Sequence, residues 1–242
     1  MTPFSILYEN DEILLINKPN GVSVQGGKGI SHPLDTELSA QLGYKIHLVH
    51  RLDKDTSGIL VVAKNSRAAA KWTNLIAQKE VKKEYIAITI GKPLVDGEPS
   101  EKGRIRGTVE AHGRTQEAYL DFTVEKSGVI AAESQTDESQ IALSLVHIVL
   151  GTGRMHQIRI QMAKNGAPIA ADDQHGDFKK NKLLRRVGIK KLCLAAFRLT
   201  IPVDGRERVF EIPLPEHMQK ASSLLDGTLA CFPFLTNICK MV

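Results

Sequence analysis

The stretch that decides the fold is His50-Arg51-Leu52-Asp53-Lys54-Asp55-Thr56-Ser57-Gly58. It lies between two apolar runs, residues 48–49 and 59–63, whose composition is typical of buried strands. A polar loop held between strands is a common place for catalytic residues. Asp53 follows an apolar leucine, and the three residues that end the stretch can turn the backbone and offer hydrogen bonds to its carboxylate. Such an aspartate is either a nucleophile or the side chain of an Asx-turn, and the local sequence alone favours the turn.

A second segment, residues 154–165, predicts a helix that buries an arginine. Its apolar face is formed by Met155, Ile158, Met162 and Ala163. At 100° per residue Arg159 falls inside this apolar face. A guanidinium stays charged at ordinary pH and is costly to bury unless a carboxylate meets it. The sequence offers Asp53 as the partner, while pairing with Asp172 or extension of the arginine towards solvent are the alternatives.

Length and composition indicate one intracellular domain. With 242 residues the chain can bury a large core without disulfides or metals. Its 32 Lys and Arg against 27 Asp and Glu give a formal charge of +5, which favours a polyanionic partner. The three cysteines, Cys193, Cys231 and Cys239, lack CxxC spacing and predict reduced thiols in the cytoplasm instead of a zinc site. No apolar run approaches the roughly 18 residues of a spanning helix, so no membrane association is expected.

Strand patterns outnumber helix patterns along the chain. We expect fold class α/β (α+β), with a mixed, largely antiparallel sheet and flanking helices. Helices are predicted from Ser31 or Pro33 to Gly43 and after a cap at Asn65 or Ser66, with a further one in the tail beyond residue 215. Residues 93–113 are expected to form an exposed excursion with one strand near Ile105. The strands are predicted at residues 6–8, 13–17, 81–90, 118–125, 129–133, 141–150, 192–201 and 209–212, with a polar turn over 134–140.

The central stretch also resembles a known signature. His-Arg-Leu-Asp-x-x-Thr-Ser-Gly is similar to the motif of the RluA-type pseudouridine synthases, and all seven fixed positions are present. Three more motifs of that family match in order, covering with the first most of residues 5–215: Lys18-Pro19-x-Gly21, Lys83-x-Tyr85 and Thr152-Gly153-Arg154-x-His156-Gln157-Ile158-Arg159. The resemblance implies a single pseudouridine synthase catalytic domain over residues 1–242, with 216–242 as an unmatched tail. It implies the family form without an N-terminal S4 domain.

The resemblance also implies an activity and a set of site residues. Asp53 would cleave the glycosidic bond of a flipped uridine, Tyr85 would stack on its base, and Arg159 would pair with Asp53. The residues expected to contact RNA are His50, Arg51, Thr56, Arg154 and His156, with Arg51 filling the space that the flipped base leaves. Arg154 and His156 could instead support the loop that precedes them. The expected partner is rRNA or tRNA and not DNA, the expected state is a monomer, and a redox-neutral isomerisation requires no cofactor or metal.

Some residues depart from the family pattern, and other functions stay open. Ala171 stands where a glycine is usual, His175 where a tyrosine is usual, and Ala195 where a histidine is usual. A basic run over residues 179–191 is either a phosphate-binding arm or a solvated face. The alternatives to an enzyme of this class are a catalytically inactive RNA-binding module of the same fold, a protein-interaction domain, and a metal-dependent hydrolase. The hydrolase would use the acids Asp53, Asp55, Asp172 and Asp173.

Overall fold

The computed structural model describes residues 3–111, 113–131 and 140–225. Most of the strands in these ranges form one large sheet. The strands are β1 Ser5–Glu9, β2 Ile13–Lys18, β3 His47–Leu48, β4 Ser57–Ala63, β5 Lys82–Ile90, β6 Leu94–Val95, β7 Glu98–Pro99, β8 Lys102–Ala111, β9 Arg114–Ala131, β10 Gln140–Leu150, β11 Leu194–Val203 and β12 Arg206–Glu211. The helices are α1 Leu34–Leu42, α2 Ser66–Ala77, α3 Gln157–Lys164, α4 Phe178–Arg186 and α5 Glu216–Ser223.

The sheet has the strand order β1-β2-β4-β11-β5-β10-β9-β8, with β3 paired to β4 and β12 paired to β11. The short strands β6 and β7 form a separate pair. Neighbours in the large sheet are antiparallel except for β4 and β11, which run parallel. The expected mixed, largely antiparallel sheet with flanking helices is therefore confirmed.

The parallel contact between β4 and β11 explains the glycine that ends the central stretch. Gly58 has a φ of +116°, and a Cβ placed on it would lie 2.2 Å from the carbonyl oxygen of Ala196. Only a residue without a side chain allows the two backbones to approach so closely. Ala195, the position with the unusual alanine, is fully buried and pairs with Ser57 in the same contact. The loop before β4 is thus fixed at the middle of the sheet.

Helix α1 ends and helix α2 begins where the sequence predicts, whereas α3 begins at Gln157 instead of Arg154 and α4 forms in the basic run, where no helix is predicted. Helix α1 ends at Gly43, whose φ of +76° is the left-handed conformation common at helix C-termini. Helix α2 begins after Asn65, whose side chain accepts a hydrogen bond from the N–H of Ala68. Helix α2 packs on β4, and α3 packs on β8. No helix in the described ranges is long and apolar enough to cross a membrane.

Two predictions about the middle of the chain are wrong in part. The strand expected near Ile105 is present as β8, but it has ten residues and joins the large sheet beside β9 instead of lying in an exposed excursion. The two strands expected at 118–125 and 129–133 are one strand, β9, because a bulge opposite Leu145 and Val146 lets it continue along β10. Residues 134–139 of the expected polar turn, and the tail from residue 226 with Cys231 and Cys239, lie outside the described residues.

Candidate active site

Three residues hold the loop that carries Asp53, and two of them, His50 and Thr56, belong to the central stretch itself. The ring of His50 turns towards β4, where its Nε2 atom accepts the N–H of Val61 at 3.0 Å. Burial, together with the charge of Lys83, keeps the pKa of His50 well below its ordinary value, which suits a ring nitrogen that must accept. The carbonyl of Asp53 accepts the N–H of Thr56 at 3.1 Å, and Thr56 is itself buried. These contacts make His50 and Thr56 supports of the loop, and their predicted contact with RNA stays a prediction.

Lys18, a residue of the first motif, is the third support. Its side chain is fully buried, and its Nζ donates to the carbonyls of Pro19, Val22 and Lys54 at 3.0, 2.8 and 2.9 Å. Burial lowers the pKa of Lys18 to about 7, against the opposing effect of the acids at positions 55 and 53. Three acceptors need three N–H groups, which only the charged ammonium supplies. The sequence alone gave no reason to assign Lys18 this role.

Arg159 lies between two carboxylates. Its Nε and NH2 atoms donate to the two oxygens of Asp172 at 2.8 and 2.7 Å, a bidentate pair, and its NH1 atom lies 3.4 Å from Oδ2 of Asp53. The predicted burial of Arg159 is observed, since its side chain is 5% exposed, and the predicted pairing with an acid is observed as well. The closer partner is Asp172, which the sequence analysis gave as an alternative to Asp53. Asp53 contacts the remaining nitrogen of the guanidinium, NH1.

Both carboxylate oxygens of Asp172 accept hydrogen bonds. It is 1% exposed and also accepts the backbone N–H groups of Gln174 and His175 at 2.9 and 3.1 Å. Burial alone would raise the pKa of Asp172, but the hydrogen bonds from Arg159 and from these N–H groups outweigh it, so the pKa is lowered. The preceding residue, Ala171, has a φ of +57°, the left-handed region where glycine is favoured.

Tyr85 and Asp53 face the same cleft. Its volume is about 740 Å³, large enough for a nucleotide. Asp53 keeps 19% of its side chain exposed, so it is open to a ligand in the cleft. Tyr85 is 6% exposed, and burial followed by the charge of Asp53 raises its pKa above the ordinary value. The phenol therefore keeps its proton beside the carboxylate.

The cleft mouth carries cations. Arg51 is exposed and lines the cleft, and its guanidinium has no hydrogen-bond or ion-pair partner within the residues that the structure describes. Arg154 is exposed, and the one described group that its side chain reaches is the carbonyl of Glu117 at 3.4 Å. The backbone N–H of Arg154 is held by the buried side chain of Gln157, which also accepts the hydroxyl of Thr152 at 2.7 Å. Sequence reasoning missed Gln157, although its place one helical turn after a polar loop is a possible signal.

His156 lies between Asp53 and a second histidine. Its Nε2 atom is 3.8 Å from Oδ1 of Asp53, and its Nδ1 atom is 2.9 Å from Nε2 of His175. His156 has a φ of +51° and precedes the first residue of α3. His175, one of the departures from the family pattern, is therefore part of the site through its contact with His156.

Three of the four acids of the hydrolase alternative, Asp53, Asp172 and Asp173, are in contact with arginines. Asp172 is engaged by Arg159, and Asp173 pairs with Arg185 at the surface, at 2.5 Å. Within the described parts of the chain, no three histidine, cysteine or acidic side chains are placed to hold a metal ion together. This geometry gives the metal-dependent alternative no support.

The comparisons with known proteins agree with the fold and with the four motifs. A family model described as RNA pseudouridylate synthase matches residues 12–164. Similar proteins include ribosomal large subunit pseudouridine synthase C of Escherichia coli (strain K12), 32% identical over 89% of this chain and 68% of that protein. The protein of the same name from Rickettsia bellii is 33% identical over 89% of this chain and 70% of that protein. The chain belongs to the RNA pseudouridylate synthase family.

Solved structures agree with this assignment at the level of the fold. The human protein RNA pseudouridylate synthase domain containing 4 superposes with a TM-score of 0.71 at 22% identity, over 92% of this chain and 93% of that one. Human RNA pseudouridylate synthase domain containing 1 gives a TM-score of 0.67, also at 22% identity, over 93% of this chain and 95% of that one. The expected pseudouridine synthase fold is therefore confirmed.

Proposed function

We propose that this chain isomerises uridine to pseudouridine in RNA, with Asp53 as the catalytic residue. The observation that carries the proposal is the carboxylate of Asp53, which is partly exposed in a nucleotide-sized cleft, 3.4 Å from the guanidinium of Arg159. Tyr85 lines the same cleft. Membership of the family supports the reaction class.

The reaction requires a base outside the helix. A stacked uridine hides its glycosidic carbon, so the nucleotide must be flipped into the cleft at a cost of a few kcal/mol. Arg51 at the mouth, with an unpartnered guanidinium, would fill the gap in the RNA. Tyr85 would then stack beside the flipped uracil.

The chemistry exchanges one bond for another. The bond from C1′ to N1 breaks, the bond from C1′ to C5 forms, the hydrogen on C5 leaves as a proton, and N1 gains a proton. Asp53 would start this either by attacking C1′ or by taking a proton from C2′. Arg159 would hold the carboxylate in place, and Asp172 would hold Arg159. No oxidant or reductant is needed, so we propose catalysis without a cofactor or metal.

Charge around the cleft supports an RNA substrate. Lys79, Arg104 and Arg154 line the cleft, and Lys79 and Arg104 lie over the ring of Tyr119 at 5.0 and 5.3 Å. Most of the basic run falls on α4 and the rest follows it, and all seven of its basic residues are exposed: Lys179, Lys180, Lys182, Arg185, Arg186, Lys190 and Lys191. We propose that these cations contact phosphates on either side of the flipped nucleotide.

The names of the relatives narrow the proposed substrate. Relatives that cover about nine tenths of this chain are named as acting on the large ribosomal subunit. Ribosomal RNA is therefore the favoured substrate, with transfer RNA as the second choice. We further propose that the chain works in the cytoplasm as a monomer and as a single catalytic domain.

The test is a map of pseudouridines in cells with and without the gene, by carbodiimide modification and primer extension. One or more sites should disappear without the gene, return with the wild-type chain, and stay absent with Asp53→Asn. Asp55→Asn is the matched control, because Asp55 is exposed in the same loop and should restore the sites. If no site disappears, the proposal is wrong. If Asp53→Asn restores every site, the chain acts as an RNA-binding module instead.

A further inference from the structure

The histidine pair, defined as His156 and His175, lies next to the carboxylate of Asp53. The pair forms one line of contacts: Nε2 of His175 is 2.9 Å from Nδ1 of His156, and Nε2 of His156 is 3.8 Å from Oδ1 of Asp53. The two rings meet at 71°, with nitrogen facing nitrogen. None of the steps assigned above to Asp53, Tyr85 or Arg159 uses these two rings.

The geometry between the rings allows only one proton. Two N–H groups cannot point at each other, so one facing nitrogen donates and the other accepts. If Nδ1 of a neutral His156 donates, the lone pair of its Nε2 faces the Asp53 carboxylate, which is repulsive. If Nε2 of His175 donates, His156 turns its Nε2–H towards that carboxylate, which is attractive. When both rings are neutral, the negative charge of Asp53 favours the second arrangement, and the N–H of His175 then holds Nδ1 of His156 as the acceptor.

The surroundings of His175 hold it in this arrangement. Its backbone N–H donates to Oδ1 of Asp172, the same oxygen that accepts NH2 of Arg159. Burial lowers the pKa of the His175 ring, the nearby guanidinium of Arg159 acts in the same direction, and Asp172 and Asp53 oppose them. A neutral ring with one N–H is the form that the contact needs. His175 is therefore fixed through its backbone and donates through its ring.

We propose that His175 is a positioning residue, which fixes the tautomer of His156 so that His156 presents an N–H to the catalytic carboxylate. The proposal rests on the proposed function, because it assigns Asp53 the reacting role. At 3.8 Å the contact between His156 and Asp53 is longer than a hydrogen bond, so it acts by electrostatic attraction. His156 lies near Oδ1 of Asp53 and Arg159 lies near Oδ2, so each carboxylate oxygen faces a different side chain.

The kinetic test uses two substitutions at position 175 that differ in one property. His175→Gln keeps an N–H near the position of Nε2, whereas His175→Leu has similar bulk and no donor. The assay measures the tritium released from total RNA that carries 5-tritiated uridine and comes from cells without the gene. His175→Leu should lower kcat roughly 10-fold, equivalent to about 1.4 kcal/mol, with KM unchanged. The kcat of His175→Gln should stay within about threefold of the wild-type value. His32→Leu, a control at an exposed histidine, should have the wild-type kcat.

A spectroscopic test does not depend on turnover. Long-range proton–nitrogen correlation spectra of protein with nitrogen-15 histidine distinguish Nε2–H from Nδ1–H tautomers. His156 should show Nε2–H in the wild type and a mixture in His175→Leu. Nδ1–H in the wild type would overturn the proposal, as would a wild-type kcat in His175→Leu or equal changes of kcat and KM in both variants.

The outcomes keep the two proposals apart. If the wild type releases no tritium, the proposed function fails, while the tautomer measurement still decides the role of His175. If the wild type is active and His175→Leu is equally active, only the role of His175 fails. Should His175→Leu not fold, His175→Gln and the wild-type spectrum remain decisive.

Discussion

Asp172→Ala should be among the most destabilising single changes in this site. The carboxylate of Asp172 is 1% exposed and accepts four hydrogen bonds, two from Arg159 and two from backbone N–H groups. Its removal leaves a guanidinium that is 5% exposed with only the 3.4 Å contact to Asp53 and one amide oxygen. Breaking a buried ion pair in this way costs roughly 3–5 kcal/mol. For a chain of this size that corresponds to a fall in Tm of roughly 6–20 °C.

Asp173→Ala is the matched control. Asp173 is the next residue, carries the same charge, and pairs with Arg185 at the surface with 62% of its side chain exposed. A surface pair of this kind contributes roughly 0–1 kcal/mol, so Tm should fall by no more than about 4 °C. Both variants change the net charge equally.

Circular dichroism during thermal and urea unfolding at pH 7.5 measures the difference. Asp172→Asn, which keeps the shape and one acceptor oxygen, should fall between the two alanine variants. The reasoning would be refuted if the free energies of unfolding of Asp172→Ala and Asp173→Ala differed by less than about 1 kcal/mol.

Two further predictions concern charge. Arg159→Lys replaces a planar fork by a single ammonium, which cannot hold both acids, so kcat for tritium release should fall by at least about 10-fold. RNA affinity in filter binding should change by less than about threefold, and equal losses would argue against a positioning role. The hydrogen bond from His147, with help from a neighbouring lysine, lowers the pKa of Glu84 to about 2. Because this folded-state pKa lies below the unfolded value of 4.5, the stabilisation is complete above pH 4.5 and is lost as pH falls towards 2. Glu84→Gln should therefore cost stability in urea unfolding at pH 7 and progressively less at pH 4 and 3, whereas a cost independent of pH would contradict this assignment.

The sequence was sufficient where one local rule decides the structure. The capping residue Asn65 and the terminating residue Gly43 bound two helices as expected, because caps act over three or four residues. The burial of Arg159 and its need for an acid followed from helical periodicity alone. The central loop between β3 and β4 is where the apolar runs on each side indicate.

The sequence was insufficient where the outcome depends on residues far apart or on backbone geometry. The choice between Asp53 and Asp172 as the closer partner of Arg159 depends on the left-handed turn at Ala171, which an alanine does not signal. The sequence indicates a strand near Ile105 but neither its length nor its place in the large sheet, because the buried residues Ile105 and Val109 give β8 a weak alternation. The bulge that joins the two expected strands into β9 is set by pairing with β10, not by its own residues.

The buried ammonium of Lys18 links the beginning of the chain to the loop of Asp53. One of its three acceptors, the carbonyl of Lys54, belongs to that loop and is 36 residues away in sequence. A graft of residues 50–58 into an unrelated scaffold would leave this carbonyl without its donor. The smallest transplantable unit therefore includes strand β2 and the turn that follows it, so a designer who wishes to move this aspartate must move its lysine as well.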